Sequence, residues 1–306
     1  MKNLMCGLLA LTLAFTGLTL TAKAAKAETV KSDKAIVVTS FGTTFPEVRK
    51  ACIGGVEEKI AKSFPDYQVH RAFTARIVIK RVAEKENIKI PTLEQKLDEL
   101  KQAGVKEVVI QPTHLTPGEE YENKIMRVAA KYMNDFAKIS VGRPVLVFDG
   151  HNGRPDDFAV AVQAIKTQMP KLGAKDCVVF LGHGSPHQPN PAYQAIQDAF
   201  DKAKINAVVG VVEEDDKPNL EDVKTLLKKR GYKNITLMPL MLVAGDHAHN
   251  DMAGDEEDSW KSELQKEGFK IKGSYLKGLG QNSAFQDIYV QHVKDAIQGI
   301  NSWVLK

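Results

Sequence analysis

Cysteine is scarce in this sequence: there are three among 306 residues, and only Cys52 and Cys177 lie beyond the N-terminal leader-like segment. Two cysteines about half a chain apart form neither a disulfide framework nor a CxxC metal motif. Aromatic residues are also few, at 7%, and no aromatic ladder or basic stripe indicates nucleic-acid binding. The long apolar run near the N-terminus is too short and wrongly flanked for a secure membrane span.

The segment 1–27 has the pattern of a secretory signal peptide. Lys2 precedes an apolar core, and Ala25-Lys26-Ala27 fits the small-x-small rule for cleavage after Ala27. We therefore expect an exported, periplasmic chain of residues 28–306; a retained anchor is the alternative. The leader carries three lysines and no acid, so its removal lowers the formal net charge from +4 to +1. That small charge gives no field directing the protein to nucleic acid or to a membrane surface.

Apolar runs of strand length alternate with amphipathic segments of helical period. Parallel strands need helical crossovers, so this alternation predicts an α/β fold built on parallel sheet. In the first half we predict strands at 35–42, 67–74, 107–115 and 143–150, and helices at 45–65 and 92–104.

The second half repeats this order of elements. The segment "KNITLMPLMLVAGDHA" (233–248) corresponds to "KEVVIQPTHLTPGEEY" (106–121) in the first half. Lysine, proline and glycine recur at one constant offset, at Lys106/Lys233, Pro112/Pro239 and Gly118/Gly245. Further strands are predicted at 177–184, 205–213 and 273–280, and helices at 157–169 and 220–231. Chance likeness between α/β units explains the order but not the offset. We therefore predict two similar lobes with pseudo-twofold symmetry around a cleft, 28–155 and 156–306, with the helix at 285–300 packing back across one of them.

Ligands of open parallel sheets bind beyond the carboxyl ends of the strands. The repeat pairs residues that follow equivalent strands: Phe41 with His183, Thr74 with Glu213, and Glu120 with His247. Two imidazoles and a carboxylate suit Co²⁺, Fe²⁺, Ni²⁺ or Zn²⁺. The same groups also suit proton transfer, because histidine titrates near neutral pH.

Other polar residues near these motifs have less specific interpretations. We expect structural or packing roles for His70, His114 and His292, a cap or substrate contact for His187, and a solvated or supporting role for His249. His151 follows the predicted fourth strand and is a candidate to line the cleft. Asp246 and Asp251 are candidate helix caps, and Asp246 is also a candidate to orient a histidine. No GxSxG elbow supports Ser185 as a nucleophile, and there is no Walker loop or strand-linked GxGxxG motif.

Six motifs together resemble one family. They are "VVTSFGTT", "RAFTARIVIKRV", "IQPTHLTPGEEYE", "VVFLGHGSPH", "LMPLMLVAGDHAHNDMAGDEEDSWK" and "GLGQNSAF". From about Ala35 to about Ile300 the chain resembles the anaerobic cobalt chelatases of the CbiK type. The run "VAGDHAxNDMAGD" followed by "DSW" is far more specific than any single glycine loop.

This resemblance implies a class II chelatase: two α/β lobes, no ATP, and insertion of Co²⁺ into a metal-free tetrapyrrole, sirohydrochlorin or its precorrin form. It implies catalytic and metal-binding roles for His183, His247 and Glu120, and an approach of Glu213 to the metal. Fe²⁺ and Ni²⁺ remain open as substrates, and so does self-association. The leader resembles that of exported variants, which leaves a second reading: a carrier of haem, corrinoid or metal for an uptake system.

Overall fold

The computed structural model describes residues 32–185, 190–213 and 215–306, which form two sheets flanked by helices. The predicted signal peptide and His187 lie outside the described residues. Within the described ranges, no helix is long and apolar enough to cross a membrane. We refer to each sheet with its flanking helices as a lobe.

The first sheet has the order β2-β1-β3-β4-β9. Its strands are β1 (Lys34–Ser40), β2 (Gln68–Phe73), β3 (Glu107–Pro112), β4 (Lys138–Val141) and β9 (Trp303–Val304). The first four are parallel, and β9 pairs antiparallel with β4, so the C-terminus returns to the first sheet. The helices along this half are α1 (Pro46–Val48), α2 (Gly55–Ser63), α3 (Arg76–Glu86), α4 (Leu93–Gln102), α5 (Glu119–Tyr121) and α6 (Arg127–Lys131).

The second sheet has the order β6-β5-β7-β8, which is the order of the first sheet without its final strand. Its parallel strands are β5 (Asp176–Gly182), β6 (Ala207–Val211), β7 (Asn234–Pro239) and β8 (Lys270–Ser274). The accompanying helices are α7 (Asp157–Lys166), α8 (Pro191–Lys202), α9 (Leu220–Arg230), α10 (Trp260–Lys266) and α11 (Ser283–Gln298). The predicted α/β class and the repeated topology are confirmed.

Alternating strand residues explain how the two lobes share a core. Ile36 and Val38 of β1 belong to the same buried cluster as Val178 and Phe180 of β5, together with apolar residues of α7 and α11. The intervening residues of each strand face a separate outer cluster. Because side chains of a strand point alternately to opposite faces, each sheet contributes one face to the shared core and covers the other with its own helices.

Wide π-helical turns interrupt three helical segments, at Arg49–Gly54, Glu122–Met126 and Ala248–Met252. The last two follow "GEEY" and "GDHA", so the duplication extends to this irregularity. Such turns insert a residue into a helix and occur often at functional sites. Here they follow the two segments that carry Glu120 and His247.

The fourth strand of each lobe was predicted in the wrong place. Residues 143–150 form an irregular segment, and the strand is Lys138–Val141; likewise β8 is Lys270–Ser274, and most of 273–280 is irregular before a short 3₁₀ turn at Leu279–Gln281. Val145 and Leu146 are buried in the shared core, and their N–H groups donate to the carbonyls of His114 and Leu115. The apolar pattern at 143–150 therefore indicated buried residues and not a strand.

Candidate active site

The carboxyl ends of β5 and β7 bring two of the predicted histidines together. His183 directly follows β5, and His247 lies in the loop after β7, at the start of the π-helical turn. Their ring centroids are 4.8 Å apart with the planes at 89°. Both side chains stay open to solvent, with 50% and 40% of their surface exposed. An edge-to-face pair of accessible imidazoles is therefore the centre of the candidate site.

A carboxylate lies beside each imidazole on its Nδ1 side. Glu213 Oε1 is 3.7 Å from Nδ1 of His183, and Asp251 Oδ2 is 2.8 Å from Nδ1 of His247. Nδ1 of His183 also lies 3.2 Å from the carbonyl oxygen of Gly184. A hydrogen bond at one ring nitrogen fixes the orientation of the ring and directs the other nitrogen outward. These contacts leave Nε2 of both rings as the nitrogen available to a ligand.

Close approach of two loops explains the glycines around His183. Gly184 has φ +89°, and a Cβ there would lie 2.9 Å from the Cβ of Glu213. At Gly182, a Cβ would lie 2.4 Å from the ring of Tyr193. The Glu213 N–H donates to the His183 carbonyl at 3.1 Å. Glycine at position 184 thus lets the loop that carries Glu213 pack directly against His183, and glycine at position 182 makes room for the ring of Tyr193.

The first lobe supplies different groups at its equivalent positions. Phe41 is 52% exposed after β1, and Thr74 is buried. Glu120 lies half-buried in α5. Among the described residues it makes no ion pair or hydrogen bond with the histidine pair. In the same ranges, no group of three or more His, Cys, Asp or Glu side chains forms a ready metal shell. Direct contacts therefore link His183 with His247 and with Glu213, and the role predicted for Glu120 stays a prediction.

Contacts between the loops that follow the strands join the two lobes near the site. The ring of Phe45 stacks on His249, with centroids 5.7 Å apart and planes at 8°. Asn190 Nδ2 donates to Thr116 Oγ1 at 3.0 Å. Phe45 and Thr116 follow β1 and β3, whereas Asn190 and His249 follow β5 and β7. The loops at the carboxyl ends of the two sheets therefore meet each other, as the prediction of facing lobes requires.

The remaining histidines occupy varied settings. His151 is an exposed partner of Asp149, at 2.8 Å. His292 is buried in α11 with Nδ1 3.0 Å from the carbonyl of Arg143. His114 has both ring nitrogens buried without a hydrogen-bond partner in the described ranges, and burial lowers its pKa to about 4. His114 is therefore a neutral imidazole at physiological pH, in a setting that the sequence did not reveal.

The carboxylate that contacts His247 is not the one named from the sequence. Asp251, and not Asp246, holds His247; Asp246 instead accepts from Asn250 Nδ2 at 2.9 Å. A spacing of four residues along a helical turn was the available signal for the pair formed by His247 and Asp251.

Comparison with known proteins identifies the fold and the family of this chain. A solved structure of SirB from Bacillus subtilis with Fe3+ has the same fold, with a TM-score of 0.57 and 14% identity over 88% of this chain and 99% of that chain. Residues 34–298 match the family model described as cobalt chelatase (CbiK). The chain belongs to this family of chelatases.

Curated relatives agree with the family match. Over 264 residues the chain is 37% identical to the sirohydrochlorin cobaltochelatase of Salmonella typhimurium, covering 86% of this chain and 96% of that protein. It is 28% identical over 271 residues to the sirohydrochlorin cobaltochelatase CbiKC of Nitratidesulfovibrio vulgaris, covering 88% and 92%. Both alignments run across both lobes.

Proposed function

We propose that the protein inserts Co²⁺ into sirohydrochlorin, or into its precorrin form, without ATP. Membership of the cobalt chelatase family and the names of two curated relatives support the substrate pair. One structural observation carries the assignment of the site: the imidazoles of His183 and His247 meet edge to face at 4.8 Å while remaining open to solvent. Such a pair suits a borderline divalent ion that must enter and leave.

In this proposal the incoming ion is held by a partial shell. Nε2 of His183 and of His247 are the nitrogens that the Nδ1 contacts leave unused. Glu213, one-third exposed beside His183, is the carboxylate proposed to complete the shell. A shell with few protein ligands keeps positions open for the ring nitrogens, which must replace the protein as ligands during transfer.

Insertion also requires proton removal, because metal-free sirohydrochlorin carries two N–H protons in its ring and the product carries none. Each Co²⁺ that enters therefore releases two protons. Glu120 is the proposed acceptor from the first lobe, and the histidines take part once the ion has left them. The exposed Phe41, at the first-lobe position equivalent to His183, presents an aromatic face to a flat macrocycle.

We further propose that the protein is exported after cleavage of residues 1–27. The motivating observation is the leader pattern of Lys2, an apolar core and Ala25-Lys26-Ala27. An exported location favours a second candidate function, in which the same site carries a tetrapyrrole or a metal ion for uptake with little catalysis. Both functions use the same ligands, so activity decides between them.

The test is purification of residues 28–306 and measurement of sirohydrochlorin absorbance after addition of Co²⁺, Fe²⁺ or Ni²⁺. Catalysed insertion of Co²⁺, lost in His183→Ala and His247→Ala and retained in the exposed control His151→Ala, supports the chelatase. Undiminished turnover in either of the first two variants refutes the assigned site. Tight binding of a coloured tetrapyrrole without any acceleration of insertion supports the carrier instead.

A further inference from the structure

A fully buried carboxylate lies behind the candidate metal site. Asp216 has no solvent-exposed surface, although it belongs to the acidic loop 213–219. Its Oδ2 accepts from the Ser185 N–H at 2.7 Å, and its Oδ1 accepts from the N–H groups of Asn190 and Lys217 at 2.8 and 2.7 Å. Burying a charged group is costly unless it is hydrogen-bonded, so this carboxylate must serve a specific arrangement of the backbone.

Two of the three backbone donors to Asp216 belong to the loop that carries His183. Ser185 follows His183 by two residues, and Asn190 is the N-cap of α8. Lys217, by contrast, belongs to the loop of Asp216 itself. The carboxylate therefore ties the loop after β5, at two separate points, to the loop after β6. Hydrogen bonds to a charged acceptor are stronger than those between neutral groups.

The same two loops carry the two proposed ligands His183 and Glu213. The N–H of Asp216 donates to the Glu213 carbonyl at 3.1 Å, and the N–H of Glu213 donates to the His183 carbonyl at 3.1 Å. A further contact comes from α8, where Tyr193 Oη accepts from the Gly184 N–H at 3.0 Å. The spacing between the imidazole and the carboxylate is thus set by the backbone that Asp216 holds.

Hydrogen bonds of Asn190 connect Asp216 to the first lobe. Asn190, whose backbone N–H is bound by Asp216, also caps α8 through Oδ1 and donates through Nδ2 to Thr116 Oγ1. Thr116 lies in the loop between β3 and α5, four residues before Glu120. One buried group therefore connects the second-lobe loops that carry His183 and Glu213, and reaches the first-lobe loop that carries Glu120.

We propose that Asp216 is a positioning residue that fixes the distance between His183 and Glu213 and so sets the affinity for the divalent ion. Asp216 does not itself touch the ion. The inference rests on the proposed function for the identity of the metal, but it concerns binding and not insertion. Groups that support metal ligands typically change metal affinity by about 10- to 100-fold when they are replaced.

The test compares Asp216→Asn with the parent chain of residues 28–306. Asparagine keeps the shape but loses the charge and presents an NH₂ group to backbone donors. We expect Co²⁺ affinity, measured by calorimetry and by the visible spectrum of bound Co²⁺, to fall about tenfold or more. In insertion assays the KM for Co²⁺ should rise, while the KM for sirohydrochlorin stays unchanged. General loss of folded protein would lower kcat without this split.

The matched control is Asp222→Asn. Asp222 lies in the first turn of α9, directly after the loop of Asp216. It accepts the Asn219 N–H at 3.0 Å and pairs with Lys217, and neither contact involves the His183 loop. Its replacement should leave Co²⁺ affinity unchanged. Equal affinity of Asp216→Asn and the parent overturns the proposal.

A second variant covers the case in which Asp216→Asn does not fold. Tyr193→Phe leaves the buried carboxylate in place and removes only the acceptor of the Gly184 N–H. We expect Tyr193→Phe to lose less Co²⁺ affinity than Asp216→Asn. If Asp216→Asn does not fold and Tyr193→Phe binds Co²⁺ as the parent does, the positioning role of this loop is contradicted.

Co²⁺ binding is measured directly and does not depend on insertion. A protein that binds Co²⁺ but inserts none would contradict the proposed function, and the comparison of Asp216→Asn with the parent would still be valid.

Discussion

The two lobes share a strand order but present different groups at their carboxyl edges. After β1 and β5 stand Phe41 and His183; in the segments after β3 and β7 stand Glu120 and His247. The two second-lobe residues are imidazoles in contact, whereas Phe41 is an exposed aromatic ring and Glu120 is half-buried. One duplicated scaffold thus presents two different sets of groups. The second lobe presents two imidazoles, which are the proposed nitrogen ligands, and the first presents an aromatic ring and a carboxylate.

A buried ion cluster anchors the segment after the fourth strand of the first lobe. After β4, Arg143 is 2% exposed and donates to Asp157 of α7 at 3.1 Å and to Asp295 of α11 at 2.5 Å. Burial alone raises the pKa of the Asp157 carboxyl, but the neighbouring His292 imidazole and the hydrogen bonds from Arg143 outweigh it and hold that pKa below its usual value. The carboxylate is therefore charged at neutral pH, and a buried ion cluster ties the first sheet to the helices of the shared core.

The largest expected effect comes from breaking this anchor. Arg143→Met removes the cation and leaves two buried carboxylates without it, which should lower the free energy of unfolding by about 3–5 kcal/mol. Urea denaturation monitored by circular dichroism measures the change. Arg143 and Arg154 both lie over the Phe148 ring, 5.5 and 4.3 Å from its centroid. Arg154→Met is the matched control, because Arg154 is exposed. Its loss should cost less than about 1 kcal/mol, and equal losses would contradict the assigned role.

In the proposed function the second lobe binds the metal ion and the first lobe accepts protons. Comparing the variants His247→Ala and Glu120→Gln tests this division. Loss of the imidazole should weaken Co²⁺ binding by about a hundredfold, because half of the nitrogen pair is gone. Loss of the first-lobe carboxylate should leave Co²⁺ binding within about threefold and lower kcat, since proton transfer contributes about 10²-fold or more to rates. Calorimetry with Co²⁺ and insertion kinetics separate the two. A Glu120→Gln protein that cannot bind Co²⁺ would place that carboxylate among the ligands.

How much of this comparison could be predicted from the sequence depends on the type of signal. The constant offset between "GEEY" and "GDHA" predicted the duplication, and the strand ends that follow from it predicted the neighbours His183, His247 and Glu213. Apolar periodicity placed β1, β3, β5 and β7 to within a few residues. It failed at 143–150 because Val145 and Leu146 are buried against helices, and burial without strand pairing has the same pattern.

Other features were beyond single-sequence reasoning for physical reasons. The antiparallel pairing of Trp303–Val304 with β4 is two residues long and depends on where the chain returns. In "EEDDKPN", one acid is a proposed ligand and another, Asp216, is fully buried. Nothing in the local composition distinguishes them, because two of the three donors to Asp216 come from residues 185 and 190 and are assembled only in the fold.

A buried histidine of the first lobe gives a pH-dependent contrast with the exposed pair of the second. Burial lowers the pKa of His114 to about 4 from an ordinary value of 6.5. The unfolded chain therefore binds more protons between those values, and stability falls as the pH falls from about 7 toward 4. His114→Leu should reduce the loss of unfolding free energy between about pH 7 and about pH 5 by about 2 kcal/mol. Urea titrations at both pH values measure it, with exposed His151→Leu as control; an unchanged slope in His114→Leu would contradict a neutral buried ring.

The smallest expected effect concerns the carboxylate that orients His247. Asp251→Asn keeps a hydrogen-bonding group near Nδ1 but removes the charge that favours an N–H at that nitrogen, so Nε2 becomes a weaker ligand. We expect Co²⁺ affinity to fall about tenfold, at the low end of the range for such supporting groups. Asp246→Asn is the control, because Asp246 lies in the same turn and contacts Asn250 instead. Calorimetry on the two variants gives the answer: equal affinities would mean that the 2.8 Å contact with Asp251 does not prepare His247 for the ion, and that the ligand lobe depends on the position of its imidazoles alone.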